Sequence, residues 1–214
     1  MNLIFDPSLV LYLPLYELDG SSFVSRDACG HLCTVTGALW RKNGRYFDGV
    51  DDIIDCGNKA PLIITGNSPR TGEVWFKSSG DYTDDRALLS YGPGGGGSYW
   101  IRFGLSLTDG YLSLSLLAND HYTTTTPPAN EWHHAAFTLA GTTTVIYYNG
   151  EVLSTKTDHS TINTQTGTNF YIGRRGQGPT DYWKGDIGEA RFYNRVLTPL
   201  EIQQNYLATK WRYR

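Results

Sequence analysis

The residues best suited to chemistry gather in a few short stretches of this 214-residue chain. Arg174, Arg175, Asp181, Tyr182 and Trp183 crowd one late segment, with Gln177 among them. Tyr99 and Trp100 follow a glycine run, and Tyr122 follows Asn119-Asp120-His121. A sugar presents apolar C–H faces to aromatic rings and hydroxyls to polar groups, so rings beside guanidinium and carboxylate groups are what such a site needs. Tyr99, Trp100, Tyr122, Arg174, Arg175, Asp181, Tyr182 and Trp183 are therefore the candidate ligand contacts. The competing reading is a core tryptophan with ordinary loop polarity around it.

A second cluster is acidic: Asp48, Asp51, Asp52 and Asp55. It is dense enough for a cation, but carboxylates in a strand bulge more often cap backbone amides, and that reading is favoured. His133 and His134 are adjacent, so a strand points them to opposite faces and they cannot share an ion. One is expected to be buried and the other at the surface. Asp186 and Glu189 stand three apart, which a regular strand also sends to opposite faces. Glu73 has no acidic neighbour, and no nucleophile-elbow, zinc-helix or phosphate-loop pattern is present.

The elements that must position these residues read as short strands. There are 15 Tyr, 6 Trp, 8 Phe and 24 Gly against a single Met, a composition suited to pleated sheets and tight turns. Glu73 to Lys77 and Tyr111 to Leu116 alternate as half-buried strands do; in the second, leucines should meet the core and serines water. Asn149-Gly150 between two strand-like runs signals a hairpin with positive φ at both positions. Thr198-Pro199-Leu200-Glu201 is a capping box with proline at N1, so a helix is expected from Pro199 to about Ala208.

Net charge is −3, with 18 Lys+Arg against 21 Asp+Glu, so no nucleic-acid partner is expected. No apolar run approaches the roughly 20 residues of a membrane span, and no membrane insertion is expected. The N-terminus lacks the basic n-region of a secretory signal, which reads as cytoplasmic synthesis. The three cysteines, Cys29, Cys33 and Cys56, argue against a disulfide framework or a zinc site. Small buried thiols are the favoured reading, and one bridge involving Cys33 or Cys56 stays open. The basic-aromatic tail Lys210 to Arg214 reads as a solvated terminus.

Five stretches together resemble one family. Arg45 to Asp55, Glu73 to Lys77, Glu131 to Thr138, Ile146 to Glu151 and Gly185 to Tyr206 are similar, in that order, to segments of laminin-G-like jelly rolls of the concanavalin A-like lectin/glucanase superfamily. The resemblance implies an all-β fold: a two-sheet antiparallel β-sandwich with one short C-terminal helix. Its expected layout is a single domain over 1–214, with an arm at 1–8, the sandwich at 9–197, the helix at 198–208 and the tail at 209–214.

The resemblance also implies a place for a structural calcium ion, at Glu17, the Asp27 to His31 loop, and Gly188-Glu189. This chain departs from the pattern there, with Gly188 where an aspartate is usual, and Cys29 and His31 where asparagines are common. Calcium needs roughly six to eight oxygens. Candidate metal ligands are thus Glu17, Asp27, Asp48, Asp51, Asp52 and Glu189. Glucanases of this fold carry two carboxylates on one strand face, because one must donate a proton while the other attacks or activates water. That spacing is missing, so the sequence points to a non-catalytic module recognising glycans or a glycosylated protein surface. The alternative is a virion or surface-assembly subunit that oligomerises or decorates a particle; a glycoside hydrolase ranks behind both.

Overall fold

The computed structural model describes residues 6–83, 85–93, 103–116, 120–159, 162–176 and 179–214. The strands run β1 (Leu9–Pro14), β2 (Ser22–Val24), β3 (Leu32–Thr36), β4 (Leu39–Arg41), β5 (Gly44–Asp48), β6 (Ile53–Asp55), β7 (Arg70–Ser78) and β8 (Arg86–Tyr91). They continue as β9 (Phe103–Thr108), β10 (Tyr111–Ser115), β11 (His121–Tyr122), β12 (His133–Ala140), β13 (Thr143–Tyr148), β14 (Glu151–Lys156), β15 (Tyr171–Ile172) and β16 (Lys184–Tyr193). One helix, α1 (Pro199–Thr209), and a 3-10 turn at Lys210–Tyr213 close the chain.

Two antiparallel sheets form. One runs β14-β13-β12-β7-β16-β5-β4, with β1 also paired to β16; the other runs β11-β10-β9-β8-β15-β6-β3-β2. Between them lies one apolar core that takes Leu11, Phe47, Phe76, Phe137, Ile187 and Phe192 from the first sheet. Leu89, Leu105, Leu112, Leu114 and Ile172 enter it from the second. The all-β sandwich with one short C-terminal helix is therefore as the sequence implied. Among the described residues no helix is long and apolar enough to cross a membrane.

Period-two alternation explains the inward set, and two places modify it. On β10 the leucines point inward as expected, but Ser113 and Ser115 are buried too, at 0% and 5% exposure. The Ser113 hydroxyl shares hydrogen bonds with Ser106 Oγ at 3.0 Å and Thr108 Oγ1 at 2.9 Å, so around Ser113 hydroxyls satisfy one another in place of water. On β16 the register slips between Ile187 and Glu189. This bulge resets the alternation, so Asp186, Glu189, Arg191 and Tyr193 all leave the core on the outer face of the first sheet. The expectation that Asp186 and Glu189 face opposite ways is corrected on that ground.

The helix forms where its start signal lies. Thr198 Oγ1 accepts the Glu201 amide at 3.2 Å, and the Glu201 carboxylate accepts the Thr198 amide at 2.7 Å. Arg195 clasps the same carboxylate at 2.7 Å. These bonds hold the Glu201 carboxyl down at about 2, with the Arg195 hydrogen bond the largest cause. Ile202, at 0% exposure, docks the helix onto Leu9, Ala136, Tyr147 and Tyr193 of the outer face.

Candidate functional site

The outer face of the first sheet carries an unusual set of buried polar groups. Glu73 on β7, His134 on β12 and Arg191 and Glu189 on β16 are all at most 2% exposed. His134 Nε2 lies 3.2 Å from Glu73 Oε2, and Asn205 of α1 donates to Glu73 Oε1 at 2.8 Å. Arg191 pairs with Glu189 and stands 3.9 Å from Glu73. Burial raises the Glu189 carboxyl, and Arg191 opposes that shift. Adjacent His133 points into the core, where its ring takes a hydrogen bond of 2.7 Å from Tyr148 Oη. Both histidines are thus buried, at 4% and 2%. The expected surface histidine is covered because α1 lies over that face.

Beside this cluster four rings form a tier. Trp75 stacks on Tyr206 of α1 at 5.5 Å and on Tyr213 at 4.5 Å, and Tyr213 meets Trp132 at 4.8 Å. Trp75 Nε1 donates to Thr209 Oγ1 at 2.9 Å, which ties the tier to the end of the helix. Within the tail Tyr213 is therefore packed, at 5% exposure, while Trp211 stays 64% exposed, so the expectation of a solvated terminus is corrected at Tyr213. Stacking on Trp75 removes that ring from water.

Between this tier and the β13–β14 turn lies an open cleft in two adjoining parts. The larger, about 470 Å³, is bordered by Tyr148, Asn149, Glu151, Gln203, Tyr206 and Lys210. The smaller, about 170 Å³, reaches Trp75, Trp132, Tyr213 and Arg214 and shares Asn149, Tyr206 and Lys210. The turn that forms one wall is the Asn149-Gly150 hairpin, with φ of 50° and 83°. Gly150 is needed twice over, since a Cβ there would also sit 2.7 Å from Tyr206 Cδ1. Lys77 Nζ lies 5.4 Å over the Trp132 ring and Lys210 Nζ lies 5.5 Å over Tyr206, so cations rim the aromatic wall. The cleft thus offers ring surface, an amide, a carboxylate and an ammonium group within one hollow.

The residues singled out from sequence are placed as follows. Tyr99 and Trp100 lie outside the described residues. Arg174, Arg175, Asp181 and Tyr182 all lie on the connection between β15 and β16, and among them Arg175 and Asp181 pair side chain to side chain. There Arg174 stacks 4.0 Å over Tyr171, and Arg175 pairs with Asp85 at 2.8 Å and with Asp181. The Tyr182 carbonyl accepts Arg86 at 3.0 Å. Trp183 is 0% exposed and meets Phe76 edge-on at 5.5 Å in the core. Tyr122 is 54% exposed on the far edge strand of the same sheet, with β10, β9 and β8 between.

The calcium set is not brought together. Glu189 is engaged by Arg191 under the helix. Asp27 uses its carboxylate on the amides of Tyr12 and Cys29 at 2.9 Å and of Gly30 at 3.2 Å. Its neighbours within 4.8 Å are Cys29 and His31, a thiol and an imidazole, which do not suit a hard cation. Glu17 is exposed and absent from that group. As placed, these residues do not gather the oxygen ligands that calcium needs.

Asp48, Asp51 and Asp52 do converge, with oxygens within 4.8 Å. Asp52 Oδ2 accepts the Asp48 amide and Asp48 Oδ1 the Val50 amide, both at 2.8 Å, so two of the three cap the turn. Burial raises the Asp52 carboxyl, and the nearby charges of Asp48 and Asp51 add to the rise.

The aromatic cleft was missed from sequence. The signal available was the tail itself, Lys-Trp-Arg-Tyr-Arg, directly after a capped helix.

Over residues 46–203 the chain matches the concanavalin A-like lectin/glucanases superfamily, laminin-G type, and it belongs to that family. No curated protein matches it in sequence. Among solved structures, a sialidase of Trypanosoma rangeli in complex with 2,3-difluorosialic acid superposes with a TM-score of 0.74 at 20% identity, covering 98% of this chain. This chain spans 34% of that sialidase's length. Domain 4 of AbnA, an extracellular arabinanase of Geobacillus stearothermophilus in complex with arabinotriose, gives 0.68 at 19% identity over 92% of this chain and 97% of that one. The botulinum neurotoxin serotype D binding domain gives 0.69 at 13% identity over 94% of this chain and 52% of that one.

At these identities the likeness is one of fold. It overturns the expectation that the chain stands apart from enzymes, because the matched fold is part of sialidase chains. A missing strand motif does not set this chain aside from them.

Proposed function

We propose that this chain recognises carbohydrate, and that the cleft between α1 and the β13–β14 turn is where it does so. One observation carries the reading: Trp132 and Tyr206 flank a hollow whose other walls supply an amide, a carboxylate and an ammonium group. Rings stack on the C–H faces of a sugar while the polar groups take its hydroxyls. The matched arabinanase domain holds arabinotriose, which supports the class of ligand. The rings are held before any ligand arrives, since Trp75 and Tyr213 brace them from below, and this lowers the ordering cost of binding.

The test is calorimetric titration of the full chain with arabinotriose, a sialylated oligosaccharide and a wider glycan panel, in parallel with Trp132→Ala and Lys210→Ala. Binding of at least one glycan is expected, weakened about tenfold in Trp132→Ala if one stacked ring is lost at a cost near 1.4 kcal/mol. A flat panel, or a binder indifferent to both substitutions, overturns the reading. Chromatography of each bound glycan after incubation shows whether the chain also cleaves it.

A further inference from the structure

We propose that Cys33 and Cys56 form a disulfide-competent pair that can staple β3 to β6 across the second sheet. The pairing register supports this. Thr36 lies opposite Ile53, Val35 opposite Ile54 and Thr34 opposite Asp55. One more step along this antiparallel ladder sets Cys33 directly opposite Cys56. Both are core residues, at 0% and 2% exposure, so both side chains point to the same inner face.

Backbone bonding then identifies the kind of pair. Cys56 gives its amide to the Phe170 carbonyl at 2.9 Å, away from β3. Val35, two residues from Cys33, gives its amide to Ser21 at 2.8 Å, on the β2 side and away from β6. Amides two apart on a strand point the same way, so Cys33 also turns its amide from β6. The two cysteines therefore occupy a non-hydrogen-bonded site, where opposed Cα atoms stand about 4.5 Å apart. Disulfides accept Cα separations of roughly 4.4–6.8 Å. Cys33 acts on the Cys56 thiol at close range and helps to raise it, and Cys33 Sγ donates to the His31 carbonyl at 3.5 Å. Burial pushes the Cys56 thiol well up, so that thiol is unreactive while the sheet is closed.

The chemistry is thiol–disulfide exchange with a low-molecular-weight disulfide such as oxidised glutathione. One cysteine thiolate attacks the reagent's sulfur and releases one glutathione thiol. The second cysteine then displaces the other glutathione. The pair loses two electrons and two protons in total, and the reagent's disulfide becomes two thiols. Because both sulfurs are buried, exchange proceeds while the chain folds or the sheet opens. Exposed Cys29 is the decoy that could trap the reagent instead.

The experiment refolds the full chain and its Cys29→Ser variant in reduced and oxidised glutathione, then alkylates the unfolded protein. Intact mass and a peptide map give the readout. The expected result is a chain that takes up one alkyl group and is otherwise lighter by two hydrogens, one cross-linked peptide joining Cys33 and Cys56, and a thermal midpoint several degrees above the reduced protein. Bridging should persist in Cys29→Ser and vanish in Cys56→Ser. Full alkylation of Cys33 and Cys56 after oxidative refolding, or a bridge that requires Cys29, overturns the proposal. The unsubstituted protein supplies the deciding map, which shows directly whether Cys33 and Cys56 are alkylated and whether Cys29 takes part in any bridge.

Discussion

Gly188 lies flat against the ring of Tyr213: a Cβ at position 188 would sit 2.7 Å from the tyrosine Oη and 2.8 Å from Cζ. The bulge that turns Glu189 to the outer face and the tail that covers it therefore depend on one missing side chain. Restoring the aspartate common in the family, Gly188→Asp, should displace Tyr213 and loosen the 3-10 turn. The expected cost is about 1–3 kcal/mol, the usual range for overpacking. Tail proteolysis and tryptophan fluorescence would show it, and Tyr213→Ala in the same chain should relieve part of the loss. Unchanged protease resistance in Gly188→Asp would show that the tail does not need this contact.

Glu73 holds three partners on that face, so its removal should be costly. Glu73→Ala leaves His134 and Asn205 without their acceptor and takes one counter-charge from Arg191. Breaking a buried pair this way costs about 3–5 kcal/mol. Glu73→Gln keeps an acceptor and should cost clearly less. Urea unfolding of both variants decides it; equal losses would mean that shape, not hydrogen bonding, holds the site.

Acid should loosen the junction between the two sheets. His121 on β11 hydrogen-bonds Thr144 Oγ1 and Ser154 Oγ, each at 2.8 Å, and Thr144 Oγ1 also meets His159 Nε2 at 2.6 Å. Burial, with His159 and Lys156 nearby, lowers the His121 imidazole to about 4 from its ordinary 6.5. The folded protein therefore prefers the neutral ring. The stability it contributes is full above about pH 6.5 and falls as pH drops toward 4. Thermal midpoints at pH 7.5 and 5 should differ, and His121→Gln should flatten the difference. An identical pH slope in His121→Gln would place the sensitive group elsewhere.

The acidic turn should behave oppositely. Burial raises the Asp52 carboxyl, so folding favours its protonated form, and the stability tied to that proton is lost as pH rises above the ordinary carboxylate range. At pH 7 Asp52→Asn should be as stable as the parent or more so, because its amide oxygen still accepts the Asp48 amide. Asp52→Ala removes that acceptor and should lose about 1 kcal/mol. Differential scanning calorimetry of the two would separate them, and a destabilised Asp52→Asn would contradict the charge argument.

Much of the fold was legible. Leu112 and Leu114 alternate with serine and reach the core, Asn149-Gly150 makes its turn, and Thr198 to Glu201 starts its helix where the capping box lies. Each signal is local, carried by residues within a few positions of one another. The site was less legible. The Arg174 to Tyr182 group could be seen as a cluster because its members are close in sequence. The tier of Trp75, Trp132, Tyr206 and Tyr213 could not, because its rings come from β7, the approach to β12, the helix and the tail.

Sequence by itself therefore determined the strand periodicity and the helix start, since these follow from local geometry and nearest-neighbour chemistry, and its resemblance to a family implied the class of fold. Tertiary structure decided which face each acidic residue takes after the β16 bulge, and that Trp183 is core while Trp132 borders a cleft. It also decided that Tyr213 seals the outer sheet. The physical reason is one of range: a bulge shifts every later side chain to the other face, and a packed tail buries groups far from it along the chain. Neither effect is encoded within the window where hydrophobic periodicity is read.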